Sequence, residues 1–91
     1  MTVDALPGGL LIKQGLADLA ADRQSAEALL VMIGAPRLRG LGFAVPDDGP
    51  VDPELLLYDV LARSNTDSAH SRYNALIRLL VSFGRAVESG A

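Results

Sequence analysis

Ala69, Tyr73, Leu76, Leu80, Phe83 and Val87 recur near the C-terminus at steps of four and three. That spacing puts all six on one stripe of an α-helix, with the a/d rhythm of a helix seam. Leu79, Ile77 and Val81 widen the stripe, while Asn74, Arg78, Ser82 and Arg85 take the opposite side. A helix over about 68–88 must therefore press a broad apolar face against the rest of the chain or against another chain.

A chain of 91 residues makes one domain and leaves much of its surface exposed. Yet 49% of the residues are hydrophobic and the mean hydropathy is +0.27. With 4% aromatic residues, that apolar mass is Leu, Ala, Val and Ile. Excess apolar surface on a small chain marks an interface. No apolar run reaches the roughly 18 to 20 residues that span a bilayer. The start, Met1-Thr2-Val3-Asp4, lacks the basic residues of a signal peptide. The absence of cysteine excludes disulfides and thiolate metal sites. The expected location is the cytoplasm, with no membrane contact.

Charge is unevenly placed. Residues 1–62 carry four bases and nine acids, a balance of −5, and residues 63–91 carry four bases and two acids, a balance of +2, which sum to the net −3. The acids gather at Asp47, Asp48, Asp52, Glu54 and Asp59. Such asymmetry suits self-assembly or a charged partner.

Four helices are expected. In the first, about 10–23, Ile12, Leu16 and Leu19 share one face, and Gln14, Asp18 and Asp22 share another. Gly15 weakens this helix by about 1 kcal/mol relative to Ala, and with Ala17, Ala20 and Ala21 it allows a close approach of a second helix. Ser25 is a suitable N-cap for a helix over 25–34, and Gly34 with Pro36 is read as its stop. The run Leu29-Leu30-Val31-Met32-Ile33 is apolar on every side, as a short buried strand would also be. The lead-in Ala26-Glu27-Ala28 favours helix. A Pro/Gly-rich connector spans 35–52, where Arg37-Leu38-Arg39 is long enough for one helical turn. Asp52-Pro53-Glu54 then combines a cap, a residue suited to the first helical position and a favourable charge, so a helix is expected over 53–64. Asp59 and Arg63 have the i,i+4 spacing of an ion pair. Asn65-Thr66-Asp67-Ser68 is the turn into the last helix, which Gly84 is expected to interrupt.

The expected architecture is an all-α four-helix bundle built from two helical hairpins joined by the connector. The 53–64 helix is apolar almost all round, through Leu55, Leu56, Leu57, Tyr58, Val60, Leu61 and Ala62. Such a helix must be surrounded, and three short neighbours rarely enclose one completely. Each Leu moved out of water contributes roughly 1.5–3 kcal/mol, so several shared Leu would drive association. The expected function is non-enzymatic protein–protein interaction, as a homo-oligomer or a small regulatory, antitoxin-like subunit. The candidate contacts are Leu56, Leu57, Tyr58, Leu61, Tyr73, Leu80 and Phe83. The partner is the chain itself or another protein, with no cofactor and no metal.

Two other functions are weighed. A helix-turn-helix regulator would read nucleic acid with His70, Arg72 and Asn74 at the start of the last helix. The acidic balance of the chain opposes phosphate binding. Arg63 and His70, with six residues between them, resemble the Arg and His of helical ribonucleases of the HEPN class. The resemblance rests on these two residues and implies RNA cleavage that uses both. Acyl transfer is excluded because Asp67, Ser68 and His70 are too close in sequence to form a relay. Arg37-Leu38-Arg39-Gly40-Leu41-Gly42 could cradle a phosphate but matches no nucleotide-binding fingerprint. Asp47 and Asp48 read as turn and solubility residues.

Overall fold

The computed structural model describes residues 3–47 and 49–90; Asp48 of the acidic cluster lies outside them. The described residues form no strand. A single 3-10 turn, Val3–Ala5, precedes five helices: α1 (Gly9–Ala20), α2 (Ala26–Ile33), α3 (Ala35–Gly40), α4 (Pro53–Ser64) and α5 (Ala69–Glu88). The protein is all-helical, and the apolar run 29–33 is helix.

Local chemistry accounts for the helix ends. The Ser25 hydroxyl accepts a hydrogen bond from the Ala28 amide at 3.1 Å and caps α2. Pro53 occupies the first turn of α4 as expected, although the Asp52 side chain makes no cap bond. α1 stops at Ala20, three residues early. Asp22 adopts a left-handed φ of +58°, and the Arg23 and Asp22 amides fold back to the Asp18 and Leu19 carbonyls at 2.7 and 3.1 Å. This double bond closes the helix as a Schellman motif with Asp in the place usually held by Gly. Gly34 ends α2 with a negative φ of −90°, not the expected left-handed one. Pro36 does not halt the chain there. It sits in the first turn of α3, where proline's missing N–H costs nothing.

The most deeply buried helix is α2. Ala28, Leu29, Leu30 and Val31 are all at or below 1% exposed, and α2 packs against α1, α3, α4 and α5. Its uniformly apolar run is thus satisfied within one chain. α5 lies to one side: it packs on α4 and α2, and only Ala69, Phe83 and Gly84 along it are buried. The six-residue stripe does face inward, because its other members, Tyr73, Leu76, Leu80 and Val87, are half-buried against the core.

Close helix packing depends on missing side chains. A Cβ on Gly15 would lie 2.5 Å from Val31 Cγ2 and 2.8 Å from the Glu27 carbonyl carbon, so α1 and α2 meet backbone to backbone there. Gly84 does not interrupt α5. The helix runs through it, and the space where its side chain would stand is filled by Arg37, with Nε at 2.7 Å from a Cβ placed there. Gly8, at φ +72°, caps α1 in a left-handed conformation against the Leu79 backbone.

The chain encloses much of the 53–64 helix but, as expected of so few neighbours, not all of it. Leu57 is 0% and Leu61 3% exposed, and Leu56, Tyr58, Val60 and Ala62 are half-buried. Only Leu55 stands clear. The Cα radius of gyration, 12.6 Å, is close to the about 12 Å of a compact domain of this length.

Candidate interaction surface

α4 and α5 are joined by the turn 65–68, in which the Asn65 side-chain carbonyl accepts from the Ser68 amide at 3.2 Å and the Thr66 hydroxyl donates to the Ala62 carbonyl at 3.2 Å. The two helices therefore run antiparallel, and Tyr58 meets Tyr73 with ring centroids 5.8 Å apart and planes tilted by 56°. This aromatic contact fixes which sides of the helices adjoin. Beyond it, at 100° per residue, Leu55, Ala62 and then Asp59 and Arg63 turn outward on the α4 side. On α5 the same step brings Ile77 and Val81, then Asn74, Arg85 and Arg78. Exposure agrees: Leu55 is 58% and Val81 40% exposed, while Asp59, Arg63, Arg78 and Arg85 are all exposed. The outer face of this hairpin is an apolar seam with Asp59 and Arg63 along its α4 border and Arg78 and Arg85 along its α5 border.

The seven residues expected at an interface divide sharply. Leu57, Leu61 and Phe83 lie in the core at 0%, 3% and 0% exposure, so they cannot touch a partner while the domain stays folded. Leu80 is half-buried and reaches toward Gly34, where its Cδ1 lies 2.8 Å from a Cβ placed on that glycine. Leu56 is half-buried against the core. Tyr58 and Tyr73 form the floor of the seam. Leu55 and Val81, its exposed members, were not singled out from the sequence. Apolar neighbours almost all round the 53–64 helix hid the outward direction of Leu55.

The other candidate residues stand on α3, α4 and α5. His70 is exposed and its Nε2 pairs with the Asn74 amide at 3.2 Å. Among the described residues no hydrogen bond joins Arg63 to His70, and no ion pair joins Arg63 to Asp59. Arg72 is exposed near the start of α5. The two arginines expected near a phosphate are turned to the chain itself. Arg37 pairs with Glu88, while Arg39 pairs with Asp47 at 3.2 Å and donates to the carbonyls of Val45 and Pro46. These contacts tether the connector, and Phe43 stacks near Phe83 at 5.5 Å.

The sequence reading placed Asp18 on a polar face with Gln14 and Asp22, but it is 5% exposed. Its carboxylate accepts from the Gln14 amide at 2.9 Å, from Arg23 at 3.1 Å and from the Ser25 hydroxyl. The Ser25 hydroxyl and the Gln14 amide hold this carboxyl below its ordinary pKa, with Arg23 adding to the effect against an opposing desolvation cost. Because Ser25 also caps α2, the cluster links the end of α1 to the start of α2. The sequence traces were the i,i+4 spacing of Gln14 and Asp18 and the cap Ser25 two residues after Arg23.

A groove of about 410 Å³ opens beside this corner, with Leu19, Ala28, Leu29 and Met32 below, Asp22, Arg23 and Gln24 at the rim, and Pro46, Gly49 and Pro50 across it. Among the described residues no group of three or more acidic or His side chains could hold a metal ion, and no helix is long and apolar enough to cross a membrane. Comparison with known protein families, curated proteins and solved structures finds no significant match.

Proposed function

We propose that this chain is a non-enzymatic helical association module, with two helical hairpins packed as a four-helix bundle, and that it binds another protein chain through the outer face of α4 and α5. The observation that carries the reading is the pair Leu55 and Val81, 58% and 40% exposed, at the edges of a seam floored by Tyr58 and Tyr73. An apolar seam with a charged rim is the anatomy of a protein interface.

The test is a pair of surface variants, Leu55→Glu and Val81→Glu, which leave the core intact. Light-scattering mass of the wild-type chain at micromolar concentration, alone and with candidate partner proteins, should exceed one chain. The excess should disappear in both variants while their circular dichroism stays helical. A one-chain mass throughout, with no partner whose binding responds to these two positions, would overturn the reading.

A further inference from the structure

We propose that Met32 is an oxidation site: a peroxide converts its thioether to the sulfoxide, and the sulfoxide releases the connector at Gly49 and Pro50 from the groove beside α1 and α2. The chain has two methionines and no cysteine. Met1 lies outside the described residues, so among them Met32 carries the only sulfur. It stands in the last turn of α2, half-buried, and lines the groove of about 410 Å³ with Leu19, Ala28 and Leu29. The groove gives a small peroxide access to this side chain, whereas Leu29, Leu30 and Val31 on the same helix are closed off at 1% exposure or less. Oxidation at sulfur follows such access.

The same side chain supports the connector. A Cβ placed on Gly49 would overlap Met32 Cε and lie 3.1 Å from Sδ, so the bare glycine rests directly on the thioether. Upstream, the connector is held by Arg39, which donates to the carbonyls of Val45 and Pro46 and pairs with Asp47. Downstream, Val51 is 99% exposed and the Asp52 side chain makes no cap bond. Between these points Gly49 leans on Met32, with Pro50 beside it across the groove.

The peroxide alone balances the step. A sulfur lone pair attacks one peroxide oxygen, the S–O bond forms as the O–O bond breaks, and the proton of the transferred oxygen passes to the departing one, which leaves as water. Sulfur loses two electrons and the peroxide gains them. A dithiol acting through a sulfoxide reductase supplies two electrons and two protons for the return. The product is polar where the thioether was apolar, and its oxygen must find a hydrogen-bond donor or water. Leu19, Ala28 and Leu29 offer no side-chain donor, while Arg23 and Gln24 stand at the rim. The oxygen therefore turns outward, the methyl swings from under Gly49, and the connector loses its support there.

The test treats the full chain with hydrogen peroxide and follows it by NMR and peptide mass spectrometry. Before oxidation, a nuclear Overhauser contact should join the Met32 methyl to the Gly49 Hα, and the Gly49 amide should show the order parameter of rigid backbone, about 0.85. Peroxide should add one oxygen to Met32 at a rate within about tenfold of free methionine. The contact should then vanish and the Gly49 order parameter fall below about 0.6, while circular dichroism stays helical. Methionine sulfoxide reductases with dithiothreitol should restore both. Met32→Leu should keep Gly49 rigid and blind to peroxide, and Met32→Gln should loosen Gly49 without peroxide. A Met32 that stays a thioether while Met1 oxidises would overturn the site. A Gly49 already loose in the thioether form, a sulfoxide or Met32→Gln chain that leaves it rigid, or a sulfoxide that melts the helices as a whole would overturn the release.

Discussion

Replacing Gly15 with Ala sets helix propensity directly against helix packing. In an isolated helix the change is favourable by about 1 kcal/mol. In the folded chain the new methyl would stand 2.5 Å from Val31 Cγ2 and 2.8 Å from the Glu27 carbonyl carbon. Carbon atoms at rest need about 3.5 Å, so α1 and α2 must part by about 1 Å. Glu27 contributes backbone there, which cannot rotate aside as a flexible side chain would. A separation of that size forfeits about a quarter to a half of the dispersion energy of the atoms across the joint. Overpacking costs typically about 1–3 kcal/mol, and a backbone obstacle places this site at the upper end. After the propensity gain, the net loss is about 2 kcal/mol. For a domain of this size that lowers Tm by about 8–16 °C. Gly40→Ala is the matched control: no atom lies within 4 Å of its Cβ, so only the chain-entropy gain of about 0.4–1 kcal/mol remains. Thermal and urea unfolding followed by far-UV circular dichroism measures both. A Gly15→Ala protein as stable as the wild type, or more so, would refute the close approach of α1 and α2.

Two further outcomes are expected. Because the folded-state pKa of Asp18 is depressed, its contribution is fully present above the unfolded value of about 3.9 and is lost as pH falls through the folded one; urea midpoints should therefore fall less steeply below about pH 4 in Asp18→Asn than in the wild type, and parallel curves would count against the buried cluster. Leu57→Ala should cost about 2–5 kcal/mol of unfolding free energy, whereas Leu55→Ala should stay within about 0.5 kcal/mol of wild type while weakening association, so equal losses in chemical denaturation would contradict the assigned orientation of α4.

Much of the helical framework was readable from local signals. Asp52 and the 12 residues from Pro53 to Ser64 marked α4 with its observed bounds, and Ser25 marked the start of α2. These signals work because capping and proline geometry involve only residues close in sequence. The corner after Ala20 was missed because its left-handed residue is Asp22 rather than Gly, and the motif there consists of backbone hydrogen bonds. The Arg37–Glu88 pair spans 51 residues and leaves no local trace.

By itself, the sequence determined that the chain is helical, where most helices begin, and which six residues share the inner stripe of α5. Those properties follow from the fixed angle between successive side chains on one helix. Only the tertiary structure decided which way a helix apolar on all sides would turn. Leu57 and Leu61 went inward and Leu55 outward because α2 and α5 cover two sides of α4 and no described element covers the third. It also decided that Asp18 is buried, that the helix meeting α1 at Gly15 is α2, and that Gly84 makes room for Arg37 instead of interrupting α5. Periodicity sets the phase of residues relative to one another; the packing of one helix against the next sets their direction in space.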